Sequence, residues 1–112
     1  MRQAIRRGGK RFLHRIFTVR ERSYCEKQRM KYEHYAARFA AKEAVMKILP
    51  GPTIHRHRLS EIEILRQATG RPYASIAPVS RRRFGLPKKF QIEISMAHER
   101  ELAIATAMLI LA

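Results

Sequence analysis

The sequence predicts an α+β chain, with helices from its first half packed on a small, mainly antiparallel sheet from its second half. Three observations carry this reading. Residues 32–49 place apolar side chains on two sides of a helix at 100° per residue. Residues 61–65 and 73–77 alternate as half-buried strands around the turn signal Thr69-Gly70-Arg71-Pro72, which makes a hairpin. Phe90, Ile92, Ile94 and Met96 then alternate with Gln91, Glu93 and Ser95, and an apolar strand follows over 102–111.

In chain order, residues 1–16 carry Arg2, Arg6, Arg7, Lys10, Arg11 and Arg15 around a Gly8-Gly9 break, with Ile5, Phe12, Leu13 and Ile16 free to face a core. Thr18-Val19-Arg20-Glu21 has capping-box spacing and opens a helix over 19–30, a purely structural role. The central helix ends at Pro50-Gly51-Pro52, since proline cannot continue it. Residues 53–60 form a basic loop whose His55 and His57 lack the further ligands of a metal site and face solvent. Residues 78–89 form a second basic loop with one short helical turn. Residues 97–101 are a polar turn holding His98, and the 102–111 strand, rich in small apolar residues, is expected to be buried on both faces.

Composition bounds the function. The 112 residues form one domain, 1–112, and 46% of them are hydrophobic, enough for a core. A formal charge of +15 and a pI near 11.3 attract anions, whether nucleic acid, anionic lipid, phosphorylated cofactors or acidic proteins. All nine acidic residues are Glu. Cys25 is the single cysteine, which excludes an intrachain disulfide and points to an ordinary packed or surface thiol in a reducing compartment. The basic N-terminus lacks an apolar core, and the 102–112 run, which contains Thr106, is too short to span a bilayer. A soluble, cytoplasmic protein is the expectation.

The central helix holds the chemistry. Tyr32, Ala36, Phe39, Ala40 and Met46 lie within about 60° of Glu43 at the helical period, and Ala37, Ala41, Ala44, Val45 and Ile48 form a second apolar arc opposite. Only the strip through His34, Arg38 and Lys42 suits water, so the helix is expected between two layers. Glu43 and, one turn later, Lys47 then emerge from an apolar stripe. Either they form an ordinary i,i+4 pair, or the carboxylate is there to bind a cation.

The segment Arg38-Phe39-Ala40-Ala41-Lys42-Glu43-Ala44-Val45-Met46-Lys47 resembles the Phe-x-x-Lys-Glu-Ala-x-x-Lys signature of the 4′-phosphopantetheinyl transferases, closest to their small bacterial type, the holo-acyl-carrier-protein synthases. Phe12 to Thr18 with Glu21, Glu61-Ile62-Glu63 with Gly70-Arg71-Pro72, and Ile94-Ser95-Met96-Ala97-His98 with Leu102-Ala103 resemble further family segments in the family's order. The resemblance implies an α+β trimer with active sites between protomers. It implies Mg²⁺-dependent transfer of phosphopantetheine from coenzyme A to a serine of an acidic acyl carrier protein, in fatty acid biosynthesis. Glu43 matches the metal-binding glutamate and Lys47 the phosphate-contacting lysine, the two catalytic positions. Arg38, Lys47, Pro72 and His98 match coenzyme A contacts, and Arg2, Arg6, Arg7 and Arg11 the carrier-protein docking surface. The family's opening Gly-x-Asp-x-x-x-Ile strand, source of a second Mg²⁺ ligand, has no counterpart here, so roughly a dozen residues are expected upstream of Met1. Pro50-Gly51-Pro52 replaces a Gly-x-Gly loop, which alters the amides offered to coenzyme A. The alternatives are an inactive relative that still holds carrier protein, and a small basic RNA- or ribosome-binding protein, which the Arg81–Arg83 cluster suggests but no RNP-type motif supports.

Overall fold

The computed structural model describes residues 1–51 and 58–111, so the expectations for Pro52, His55 and His57 fall outside the described residues. Three helices come first: α1 (Arg2–Ile16), α2 (Val19–Glu26) and α3 (Lys31–Ile48). A 3-10 turn (Leu59–Glu61) leads into β1 (Ile62–Arg66) and β2 (Pro72–Ile76), then α4 (Pro78–Arg83), β3 (Phe90–Glu99) and β4 (Leu102–Leu111). The α+β reading holds.

Helix α1 is kinked at Gly9, whose φ of 56° is open to glycine at little cost. Its apolar residues Ile5, Phe12, Leu13 and Ile16 pack on the buried cluster Phe17, Cys25 and Tyr35, and Arg2, Arg6, Arg7 and Arg11 stay exposed. The capping box forms: the Glu21 amide donates to Thr18 Oγ1 and the Thr18 amide to Glu21 Oε1. Helix α2 stops at Glu26 rather than running to 30. Cys25 and Tyr35 share one cluster, so the chain must reverse between them, and residues 27–30 supply the turn.

The strands form two antiparallel pairs rather than one ladder. In the first, β1 pairs with β2 from Ile62↔Ile76 to Arg66↔Pro72; in the second, β3 pairs with β4 from Phe90↔Leu111 to Glu99↔Leu102. Strand β3 continues past Met96 and closes through Arg100 and Glu101, so His98 lies in the strand opposite Ala103 instead of in a turn. Extending the ladder satisfies backbone groups that a longer turn would leave to water. Strand β4 is not buried on both faces. Ala103, Ala105, Ala107 and Leu109 face inward, while Leu102, Ile104 and Met108 are 62%, 56% and 61% exposed. Helix α3 covers only one side of this hairpin.

The main core joins Ala41, Val45, Met46 and Leu49 of the α3 region to Ile62, Ile64, Ile76 and Phe84. Each fully buried large aliphatic contributes about 1.5–3 kcal/mol, which fixes α3 against β1 and α4. Beyond α3, a Cβ at Gly51 would lie 2.7 Å from the Phe84 carbonyl oxygen, so only glycine lets the end of α4 close on this corner.

Candidate active site

Because α3 is apolar nearly all round, its rotation is decided by its neighbours. The outcome reverses one expectation. The strip assigned to water turns inward, with Arg38 1% and Lys42 0% exposed. The half-open side is instead the arc of Tyr32, Ala36, Phe39, Ala40 and Glu43, with Lys47 exposed beside it.

The physical reason is Glu21. Its capping-box carboxylate is fully buried and lies 2.7 Å from Lys42 Nζ. Oε1 also accepts the Thr18 amide and Oε2 the Ile64 amide, at 2.8 Å each. Lys42 Nζ donates further to the carbonyls of Leu59, at 2.9 Å, and Ile62. All three ammonium protons therefore have acceptors, as a buried cation requires. Burial pushes the Glu21 carboxyl up and the Lys42 ammonium down, and their mutual attraction opposes both shifts. Around this pair, Thr18 Oγ1 donates to Glu63 Oε2 at 2.5 Å and Arg20 pairs with Glu63 Oε1 at 2.6 Å. Burial pushes Glu63 up, yet these partners hold it below the ordinary carboxylate value.

On the open side, the i,i+4 explanation for Glu43 fails. Among the described residues neither the Glu43 nor the Lys47 side chain makes an ion pair or hydrogen bond. A half-buried, unpaired carboxylate one turn from an unpaired ammonium suits a hydrated divalent cation on a phosphate, with the lysine as a point charge. No three His, Cys, Asp or Glu side chains among the described residues converge on a metal cage. Glu43 is thus a single carboxylate donor, which suits Mg²⁺ only with waters and phosphate oxygens as the remaining ligands.

Arg38 and His98 lie on a different side of α3, linked through Tyr24 and His34. The Arg38 guanidinium carbon lies 4.1 Å from the centroid of the Tyr24 ring, whose edge meets His34 at 5.6 Å. His34 in turn packs on His98 at 5.0 Å, and His98 Nδ1 lies 3.0 Å from Glu33 Oε1. Burial, then His98 and Arg38, push the His34 imidazolium down. Arg38 Nε and Nη1 and His34 Nδ1 are buried without a hydrogen-bond partner. Arg38 also lines a cavity of about 270 Å³ beside Arg20, Arg66 and Tyr73. An unpaired buried guanidinium at such a cavity is chemistry for an anion. Pro72 opens β2 opposite Arg66, next to Tyr73 of this cavity. One chain thus splits the expected residues into two groups: Glu43 with Lys47, and Arg38 with His98.

Sequence reasoning missed Glu21, Glu33, Tyr24 and Lys42. The capping box already explained Glu21, so nothing local signalled its second role. For Lys42 the cues were its place between Ala41 and Glu43 on an all-round apolar helix and its match to the first lysine of the Phe-x-x-Lys-Glu-Ala-x-x-Lys signature.

The model of the 4′-phosphopantetheinyl transferase superfamily matches residues 1–107 of the chain. The holo-[acyl-carrier-protein] synthase of Ruminiclostridium cellulolyticum is 38% identical over 110 residues, covering 97% of this chain and 82% of that protein. That of Protochlamydia amoebophila is 43% identical over 101 residues, 90% of this chain and 82% of that protein. Among solved structures, the ACPS–CoA complex of Chronobacterium ammoniagenes matches with a TM-score of 0.79 at 25% identity, covering 99% of this chain and 88% of that one. The Helicobacter pylori holo-[acyl-carrier-protein] synthase in complex with coenzyme A matches with a TM-score of 0.76 at 23% identity, covering 96% and 89%.

Proposed function

The chain belongs to the 4′-phosphopantetheinyl transferase superfamily, and from that premise we propose that it transfers 4′-phosphopantetheine from coenzyme A to a serine of apo acyl carrier protein. The observation that carries this reading onto particular residues is the unpaired Glu43 carboxylate with Lys47 one turn on, both on the open side of α3. In the reaction the serine oxygen bonds to the phosphorus nearer the pantetheine and gives up its proton to water, the bridging P–O bond breaks, and adenosine 3′,5′-bisphosphate leaves with that bond's electron pair. Mg²⁺ held by Glu43 would supply neutralisation of the diphosphate charge. Lys47 binds the same phosphates as a fixed point charge and stabilises charge developing on the leaving oxygen. Arg38, buried against Tyr24, adds positive charge beside a cavity suited to another coenzyme A phosphate, and Glu33 holds His98 on the other side of His34. Arg2, Arg6, Arg7 and Arg11 line the exposed side of α1 and dock the acidic carrier protein.

A homotrimer with sites between protomers accounts for two features. It would bring Glu43 and Lys47 of one chain toward Arg38 and His98 of the next, and it would cover the exposed Leu102, Ile104 and Met108 of β4. No helix among the described residues is long and apolar enough to cross a membrane. The single buried thiol suits a reducing compartment, in keeping with a cytoplasmic enzyme.

Incubation with apo carrier protein, coenzyme A and Mg²⁺, followed by intact-mass spectrometry, tests the reading. One added phosphopantetheine is the expected result, abolished by a chelator. Carrier protein that keeps its apo mass at stoichiometric enzyme refutes it.

A further inference from the structure

A buried ion pair adjoins the candidate metal ligand, and the reaction itself does not use it. Lys42 precedes Glu43 on α3, and Glu21 meets it from α2. Together they take up the Thr18 and Ile64 amides and the Leu59 and Ile62 carbonyls, so one polar junction joins α2, α3, the 3-10 turn and β1. Both side chains are 0% exposed, and every donor and acceptor in the junction has a partner. A helix with apolar residues all round could pack against its neighbours in several rotations at similar hydrophobic gain, because burial is not directional. A charge pair with four fixed partners is directional and admits one rotation.

We propose that Lys42 and Glu21 are positioning residues that lock the rotation of α3, so that Glu43 and Lys47 stand on its open side toward the metal-bound diphosphate. At the helical period Lys42 is about 100° from Glu43 and about 140° from Lys47. Anchoring Lys42 inward therefore directs both outward. A slip of one residue would turn Glu43 into the space held by Lys42, where no cation or phosphate can reach. The buried pair thus specifies an orientation that apolar packing leaves degenerate. This inference rests on the proposed function, and its test separates the two.

The test compares wild type with Glu21→Gln/Lys42→Met, which removes both charges of the pair, and with Glu21→Gln, which leaves Lys42 anchored to the Leu59 and Ile62 carbonyls. Three quantities are read on protein folded well below its melting temperature. They are Mn²⁺ affinity with coenzyme A present, by electron paramagnetic resonance; kcat; and KM for carrier protein. Supporting residues around a metal ligand typically tune affinity or rate by about 10- to 100-fold. The expected result is a loss of that size in Mn²⁺·coenzyme A affinity and in kcat for the double variant, and a smaller loss for Glu21→Gln. KM for carrier protein should stay within about twofold, because α1 is untouched and that change is under 0.5 kcal/mol. A folded variant that keeps wild-type Mn²⁺ affinity and kcat overturns the inference, leaving the pair a matter of stability alone. If neither variant folds, the pair is a requirement of folding and the positioning claim falls. Wild-type protein that neither binds coenzyme A nor loads carrier protein overturns the proposed function itself, and this inference with it.

Discussion

Replacing Lys42 with methionine keeps most of the side-chain volume and removes one charge from the interior. Glu21 would then stand fully buried without its 2.7 Å partner, and the Leu59 and Ile62 carbonyls would lose their donor. Removing one member of a buried pair costs about 3–5 kcal/mol, most of it the desolvation of the charge left behind. At about 2.1 cal/mol/K per residue, the 112 residues carry an unfolding entropy of about 0.24 kcal/mol/K. The Lys42→Met melting temperature should therefore fall by roughly 13–20 °C, read by circular dichroism or calorimetry at fixed protein concentration. Glu21→Gln/Lys42→Met should recover part of that loss, since no bare carboxylate remains. A single variant that melts within about 4 °C of wild type would refute the reasoning, as would a double variant no better than the single. Either result would mean that the two charges are not coupled in the folded protein.

Glu43→Ala and Lys47→Ala should each lower kcat by about 100-fold or more without lowering the melting temperature, because neither side chain has a partner to lose. Wild-type rates in both would remove them from the site. Charge reversal at Arg6 and Arg7 should raise KM for carrier protein and weaken its salt dependence while kcat holds, checked by titrating carrier protein at two ionic strengths. Glu63 titrates below its ordinary value near 4.5 when folded, so the stability it contributes is present above that pH and lost as pH falls through the lowered folded value. Urea unfolding of Glu63→Gln should accordingly show a shallower loss of stability on acidification than wild type. Burial pushes the Cys25 thiol up to about 12, so an aromatic disulfide reagent should leave it unmodified at pH 8 until denaturant is added.

Much of this protein is legible from local pattern. The 3.6-residue period, the Thr18–Glu21 box and the alternation around Gly70-Arg71-Pro72 mark α2, α3 and the first hairpin, because each depends on residues a few positions apart. The Glu43–Lys47 spacing and the exposed arginines of α1 are likewise properties of one helix at a time. Three features were decided by tertiary structure. The rotation of α3 depends on Glu21, 21 residues away on another helix, so in a strip that reads as solvated Arg38 and Lys42 became buried. Strand β4 reads as doubly buried, yet α3 covers one face only, and the outer face of Leu102, Ile104 and Met108 stays open within one chain. The grouping of Arg38 with Tyr24, His34 and His98 joins α2, α3 and β3 across 75 residues of sequence, a juxtaposition that no local pattern encodes. Periodicity says which side chains share a face. Which face finds a counter-charge is a question of three-dimensional contact, because burying a charge is tolerable only where its partner already waits.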